Sequence, residues 1–372
     1  MSVPHILSLR LEDLQTSLFS LGIEERKARY HSKQIYRWLY QRKITDIDQM
    51  TDLSKQVRSV LKENINFEAP LKEVLRQVST DGTTKFLFKL QDGHTIESVL
   101  IPAGERELDC DTDEEPTALR VAGGKIERIK RVTICISSQV GCAMGCKFCL
   151  TASMGFIRNL SIDEIVGQVF ELSKNSDITN IVYMGMGEPL HNLENVARSV
   201  EILLNSDGMK FSKRKVTIST SGLVPQIRKL NERLKREHKV NLAISLNASY
   251  NEQREQVMPV NKAFPIEDLI AACKDFEIGP HRRITFEYVL MGELNDTLED
   301  AERVLRLLKG MPSKVNLIPY NPHSASEFKR PDEAGVMRFQ KYLLDRGATA
   351  MIRHSRGRDI LAACGQLKSA NS

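Results

Sequence analysis

From residue 132 onward the chain alternates two periods, and this rhythm restricts its fold more than any other feature. Short apolar, β-branched runs occur at 132–137 (VTICIS), 178–184 (ITNIVYM), 215–220 (KVTIST), 240–246 (VNLAISL), 284–290 (ITFEYVL), 314–319 (KVNLIP) and 349–353 (TAMIR). Between them lie helix-period segments: Ile162–Leu172, Leu193–Leu204, Val224–Leu234, Ile266–Phe276, Leu298–Leu308 and Val336–Leu344. Strand, helix, strand at this spacing predicts βαβ units and a parallel sheet, because parallel neighbours need a crossover long enough to hold a helix. About six units predict an α/β fold, a full or partial β/α barrel, with a doubly wound open sheet as the alternative. In both, ligand-handling residues belong just beyond the C-terminal ends of the strands.

The preceding residues read differently. Ile6 to Leu21 has roughly helical spacing up to Gly22; a second helix is expected near Lys27–Arg42 and a third over Ser54–Lys62. Residues 71–78, 84–90 and 95–101 favour strands, broken by Asp81-Gly82 and Asp92-Gly93, both hairpin signals. Residues 104–131 read as an insertion, with seven acids against one Arg from Glu105 to Glu115, then a basic stretch from Arg120 to Arg131. The organisation expected is a small helical accessory domain over 1–68, connecting strands and insertion over 69–131, and a core domain over 132–372. With 41% hydrophobic and 27% charged residues in 372, disorder, collagen and coiled coil are excluded for the whole. No run approaches the ~18 consecutive apolar residues of a membrane span. The first fifteen residues do not read as an export signal, so a cytoplasmic protein is expected.

Seven cysteines are present, and three of them crowd just past the first strand of the rhythm, in Gln139-Val140-Gly141-Cys142-Ala143-Met144-Gly145-Cys146-Lys147-Phe148-Cys149. Without an export signal this is not a disulfide framework. A tight loop with C-x3-C-x2-C spacing can bring Cys142, Cys146 and Cys149 to one centre, either zinc or an iron–sulfur cluster. Structural zinc wants four ligands, and the loop holds no fourth. A [4Fe–4S] cluster on three thiolates leaves one iron open to a small molecule. Other strand ends carry small polar groups suited to such a ligand. Met184-Gly185-Met186-Gly187-Glu188-Pro189 follows the second strand, Ser219-Thr220-Ser221-Gly222 the third, Ser245-Leu246-Asn247 the fourth and Asn321 the sixth.

These residues carry a resemblance. C-x3-C-x2-C after the first strand of a β/α barrel resembles the radical S-adenosylmethionine (SAM) superfamily. S-S-Q-V-G-C-x3-C-K-F-C, M-G-M-G-E-P and the C-terminal R-G-R-D-I-L-A-A-C-G-Q-L together resemble its RNA adenine methyltransferases, the RlmN group with the Cfr resistance enzymes as close relatives. The N-terminal block Lys33–Tyr40 and the turn Met50–Ser54 extend the likeness over nearly the whole chain. The resemblance implies a [4Fe–4S] cluster on Cys142, Cys146 and Cys149, SAM used twice per turnover, and SAM contacts at Gly187, Glu188, Ser219, Ser245, Leu246, Asn247 and Asn321. Asn247 stands where many relatives carry His. It further implies that Cys364 carries a methyl group, Glu97 removes the ring proton, and Cys135 attacks the sulfur of Cys364 to release product through a transient disulfide. Read locally, Cys110 and Cys273 are bystanders, the second in a helical core.

The implied substrates are adenosines at C2, in the peptidyl-transferase centre of 23S rRNA (naked or protein-poor) and beside the anticodon of tRNA. A flavodoxin or ferredoxin is the implied electron donor, and the enzyme is expected to be monomeric. The nearest alternative is C8 methylation, as in Cfr. A zinc-stabilised RNA-binding module is the rival from another class. Two basic stretches suit RNA: residues 24–43, with seven Lys/Arg against two Glu, and 213–239, with nine against two. Both are expected at the substrate entrance, with Arg353, Arg356 and Arg358 beside Cys364. Tyr36, Trp38 and Tyr40 are candidates for stacking on bases, Trp38 equally for packing.

Overall fold

A computed structural model describes residues 3–103, 119–122, 125–128, 130–323 and 326–368. The acidic run around Cys110 lies outside them. Ten strands form one sheet in chain order: β1 (Leu71–Val78), β2 (Thr84–Leu90), β3 (Thr95–Pro102), β4 (Val132–Cys135), β5 (Asn180–Tyr183), β6 (Val216–Thr220), β7 (Asn241–Ser245), β8 (Ile284–Leu290), β9 (Ser313–Pro319) and β10 (Ala350–Ile352). The first three are antiparallel and join β4 antiparallel, with Val99 opposite Cys135. From β4 to β10 every pairing is parallel. Among the described residues β1 and β10 each have one neighbour, so the barrel is partial and open. The sheet nevertheless curls around a lumen: Thr133, Val182, Thr217, Asn241, Thr285, Asn316 and Ile352, one from each parallel strand, line a single cavity.

Six crossover helices match the expected periods. They are α4 (Ile162–Leu172), α5 (Leu193–Leu204), α6 (Val224–Arg233), α8 (Ile266–Lys274), α9 (Leu298–Leu308) and α10 (Glu333–Asp345), with a short α7 (Asn251–Val257) before α8. Their starts are chemically marked. Ser161 and Glu164 form a capping box on α4, and Thr297 and Asp300 another on α9, each satisfying two otherwise orphaned amides. Two short ribbons are added to the main sheet: 119–122 with 125–128, and Gln139–Gly141 with Phe156–Asn159.

The N-terminal residues form α1 (Leu11–Ser20), α2 (Glu25–Tyr36) and α3 (Lys55–Asn64), with a π-helical turn at Arg37–Gln41 extending α2. They bury a cluster of their own that takes in Val166 and Phe170 of α4 and Ile202 of α5. Ion pairs at the same seam, Arg10–Glu201 at 3.1 Å and Arg198–Asp13 at 2.5 Å, fix its orientation. Tyr36, Trp38 and Tyr40 are all consumed here. The Tyr36 hydroxyl donates to the Leu9 carbonyl at 2.6 Å and the Trp38 Nε1 to Asp52 at 2.6 Å, while Tyr40 packs edge-on to Phe170. Their stacking on bases is therefore overturned: helical spacing turns these rings into the module, and Tyr30 is the exposed aromatic of α2.

The placement of the second basic stretch also needs correcting. Lys213–Lys215 and Lys235–Lys239 precede β6 and β7, so they lie at the base of the barrel, opposite the strand ends that carry the predicted site. Arg214 and Lys215 line the base of the lumen with Arg131, Arg282, Arg283 and Lys314. A βα unit climbs in its strand and descends in its helix, so loops before strands cannot reach the upper rim. Among the described residues no helix is long and apolar enough to cross a membrane.

Phe170, on α4 of the barrel, is fully buried in the N-terminal cluster. Phe170→Ala is expected to cost about 3–5 kcal/mol in urea unfolding. Limited proteolysis of the variant is expected to release the N-terminal helices first.

Candidate active site

One pocket opens at the C-terminal rim of the parallel strands. Cys142, Cys146 and Cys149 from the loop after β4 line it, with Gly187 and Glu188 after β5, Ser219 of β6 and Ser221 just beyond it, Ser245 of β7 and Asn247 just beyond it, and Cys364 with Gly365 from the C-terminal segment. The rhythm of the sequence thus delivers residues more than two hundred positions apart to one wall.

The loop from Met184 to Pro189 is positioned by close approach to the chain after β4. Residue 187 has φ +100°, and a Cβ there would lie 2.5 Å from that of Gln139, so only glycine fits. Gln139 accepts from the Glu188 amide at 2.8 Å, and the Ser138 amide donates to the Met186 carbonyl at 2.8 Å. Glu188 is buried, and each carboxylate oxygen is oriented by an amide: Leu190 N at 3.0 Å and Ser221 N at 2.7 Å. Burial raises its pKa against those amides.

The three cluster-loop thiols influence one another electrostatically. Burial pushes Cys142 up to about 12 and raises Cys146 and Cys149, and the thiols add to one another's shifts. Among the described residues no three Cys, His, Asp or Glu side chains are already drawn together as a metal cage. The donor set itself fits a cluster held by three thiolates: three sulfurs come from one loop, and that loop carries no fourth ligand. Zinc, which wants a closed set of four, fits less well.

The other predicted residues divide. The Asn247 side chain, in the left-handed region at φ 57°, faces the pocket but is already engaged: its Oδ1 accepts from Val289 N at 2.9 Å and its Nδ2 meets Met258 sulfur at 3.2 Å. Leu246 is buried outside the pocket lining, and only its backbone reaches the strand end. Asn321 sits in a neighbouring cleft with Asp81, Arg358, Asp359 and Gln366. Cys135, at the end of β4, is buried, and burial pushes its thiol up to about 12, with Cys364 adding and Arg353 opposing. The two sulfurs are therefore within electrostatic reach. All described cysteines are free, including this pair, so no standing disulfide joins them. Cys273 is core, as its helical spacing predicts.

Glu97 on β3 is not in the cysteine pocket. It is buried, paired with Lys85 Nζ at 3.2 Å, and its other oxygen accepts from the Lys368 amide at 2.9 Å. Burial raises its pKa, with Lys85 opposing. A shared knot nonetheless connects it to the pocket: Ser137 Oγ donates to the Glu97 carbonyl at 2.6 Å and accepts from Met186 N at 2.9 Å. Gln168, fully buried, accepts from Ser98 and from Ser137 N, both at 2.8 Å.

Several residues escaped the sequence reading. Glu287 Oε2 is buried in the pocket lining with no hydrogen-bond partner among the described residues, and the Ser221 hydroxyl sits beside Glu188 in the same lining. Glu287 shares strand parity with Thr285, which lines the lumen, and this was the available signal. Arg353 reaches into the pocket, 3.7 Å from Met184 sulfur.

A parallel β/α partial barrel with three thiols and a Gly-Glu turn on its upper rim defines a radical SAM enzyme, and a profile for the radical SAM superfamily matches residues 136–308. A profile for the ribosomal RNA large subunit methyltransferase N-terminal domain matches residues 5–67. A "Dual-specificity RNA methyltransferase RlmN" of Geobacter sulfurreducens is 46% identical, covering 98% of this chain and 91% of its own length. One of Nitratiruptor sp. is 47% identical over 98% of this chain and 97% of its own. The crystal structure of a radical SAM methyltransferase from Sphaerobacter thermophilus superposes with a TM-score of 0.83 at 40% identity, covering 98% of this chain and 99% of that one. The chain belongs to the RlmN family of radical SAM methyltransferases.

The segment bearing Cys364 is tethered to the β1–β2 turn by two carboxylates. Asp81 accepts from Gly357 N at 2.9 Å, and Asp359 accepts from Ser79 Oγ at 2.6 Å. The Asp81 pKa is lowered: partial burial works against this, but bonds from Thr83 and Gly357 prevail. The Asp359 pKa is lowered by Ser79 and the Thr80 amide. Carboxylates depressed in the folded state stabilise it above their unfolded values, near 4, and that stability is lost as pH falls through the folded values. Below about pH 4, hydrogen exchange over residues 357–366 is expected to quicken before the barrel opens. Asp81→Ala should do the same at neutral pH; unchanged exchange would disprove the tether.

Proposed function

We propose that the protein methylates C2 of adenosine in 23S rRNA and in tRNA, beside the anticodon, as an RNA methyltransferase of dual specificity. The observation that carries this is the placement of Cys364 on the wall shared with Cys142, Cys146 and Cys149, with Cys135 buried within electrostatic reach. An RNA-modifying enzyme without a methyl-carrying thiol has no need of that arrangement. Adenine C2 is electron-poor, so transfer of a methyl cation to it is unfavourable and a radical route is required. Held by Cys142, Cys146 and Cys149, a [4Fe–4S] cluster would, with SAM and one electron from the external donor, supply the radical, and SAM used twice per turnover would also supply the methyl group.

The chain's own residues do the rest. Glu188, Ser219, Ser245 and the Gly187 and Leu246 backbones orient SAM, and Asn247 braces the strand end they share. Cys364 carries the methyl group as a thioether and becomes joined to the adenine through it. Glu97 accepts the ring proton; its engagement with Lys368 N requires the C-terminal segment to shift when RNA enters. Cys135, as a thiolate, then attacks the Cys364 sulfur: the disulfide forms as the bond from that sulfur to the adenine-borne carbon breaks, and this carbon keeps the electron pair and takes up a proton, which leaves methylated RNA. Arg353 favours that thiolate. The exposed cations of α2, together with Arg356 and Arg358, neutralise phosphates, and the target base must be unstacked to reach the pocket. Residues 1–68 serve as the RNA-binding accessory domain, 69–131 connect it, and 132–372 form the core; the enzyme acts as a cytoplasmic monomer fed by a flavodoxin- or ferredoxin-like donor. The names of the relatives support C2 over the C8 chemistry of Cfr.

The test is anaerobic reconstitution with iron, sulfide, labelled SAM and both RNAs, followed by mass and NMR analysis of nucleosides. 2-Methyladenosine is expected in both, and 8-methyladenosine alone would overturn the assignment. Cys364→Ala should abolish methylation. Cys135→Ala should accumulate a protein–RNA crosslink that denaturing gels detect.

A further inference from the structure

Arg254, on α7, heads the large side chains sealed completely from solvent. A buried guanidinium ordinarily faces a carboxylate, because an isolated charge is costly to remove from water. Its hydrogen bonds here go to four uncharged oxygens: Nε to the Leu246 carbonyl at 3.0 Å, Nη2 to the Ser245 carbonyl at 2.9 Å and the Ser221 carbonyl at 2.6 Å, and Nη1 to Asn261 Oδ1 at 3.1 Å. Three of these are backbone groups at the ends of β6 and β7, the strand ends that line the pocket. Residue 222 must be small for this, since a Cβ at Gly222 (φ +106°) would lie 3.1 Å from Nη2.

The missing counter-charge has a natural source. The helix that carries Arg254 backs the cysteine loop: Lys147 N donates to the Val257 carbonyl at 3.0 Å, and Cys146 packs with Val257 and Met258. Burial pulls the Arg254 pKa down to about 10, and Cys146 leads the groups that oppose this.

We propose that Arg254 is a positioning residue that pins the β6 and β7 ends into the shape of the SAM site, and that its unpaired charge is the counter-charge of the cluster on Cys142, Cys146 and Cys149. This rests on the cluster reading given above. A cluster on three thiolates is anionic, and it gains one further negative charge when it accepts an electron from the external donor. No bond or proton changes at Arg254. A fixed positive charge in a low-dielectric wall stabilises the reduced form more than the oxidised form and so raises the midpoint potential.

Three variants of the reconstituted full-length enzyme test the two halves separately, by redox titration of the cluster and by equilibrium binding of labelled SAM. Arg254→Met should lower the midpoint potential and weaken SAM roughly tenfold or more, as expected when several bonds to charged groups are lost. Arg254→Lys keeps the charge but not the fork, so the potential should stay near wild type while SAM weakens. Asn261→Asp keeps the fork and supplies a carboxylate at the Nη1 contact; the potential should fall with SAM affinity within about threefold of wild type. An Asn261→Asp cluster with unchanged potential would overturn the electrostatic half, and Arg254→Met with unchanged SAM affinity would overturn the positioning half. If neither Arg254 variant folds, Asn261→Asp decides the electrostatic half and Asn261→Leu, which removes the Nη1 contact, decides the positioning half, unchanged SAM affinity overturning it. Wild-type protein that takes up no iron sinks the cluster reading instead, leaving a distinct signature.

Discussion

The parallel ladder that begins where β4 pairs with β5 is the constraint on which the rest of the molecule depends. Parallel neighbours require crossovers, and each crossover helix returns the chain to the base before the next strand rises. Strand ends therefore gather on one rim and strand beginnings on the other. The Cys142–Cys149 loop, the Gly187-Glu188 turn and the Ser219, Ser221 and Ser245 hydroxyls meet for this reason alone. The same rule carries Lys213–Lys215 and Lys235–Lys239 to the opposite end.

The rim is held in shape by buried polar groups that the apolar pattern does not announce. Gln168 spends its amide on Ser98 and Ser137, Ser137 joins Glu97 to Met186, and Gln139 orients Glu188. Arg254 does the same for the next two strands. Fully satisfied networks of this kind set one geometry because each broken bond leaves a buried group unpaired. The C-terminal segment then crosses the pocket, tied to the β1–β2 turn at one end and to the cysteine loop at the other, where Leu150 N donates to the Gly365 carbonyl at 2.7 Å and Thr151 to the Leu367 carbonyl at 2.6 Å. Cys364 is thus carried on a tethered strap over a rigid rim.

Much of this was legible in the chain. The strand and helix runs from 132 onward were, because periods of two and 3.6 are local properties of backbone geometry. So were the hairpins at Asp81-Gly82 and Asp92-Gly93, and the three clustered thiols. Other parts were not. The aromatic run Tyr36, Trp38, Tyr40 offers the same letters whether it faces RNA or a core, and the partners that decided it, Leu9, Asp52 and Phe170, come from three separate segments of the chain. Glu287 and Arg254 look like ordinary charges of a strand and a helix until neighbouring strands surround them.

By itself, then, the sequence determined the element order, the parallel α/β class and the clustering of Cys142, Cys146 and Cys149, since each is written in spacing along the chain. The tertiary structure decided that the second basic run lies at the base of the barrel, that Glu97 lies under the C-terminal segment rather than in the cysteine pocket, that Asn321 faces a neighbouring cleft, and that one guanidinium is buried beside the cysteine loop and bonded, among the described residues, to no carboxylate. Those are facts of distance between remote segments, settled by where desolvation and hydrogen bonding place each group when the sheet curls.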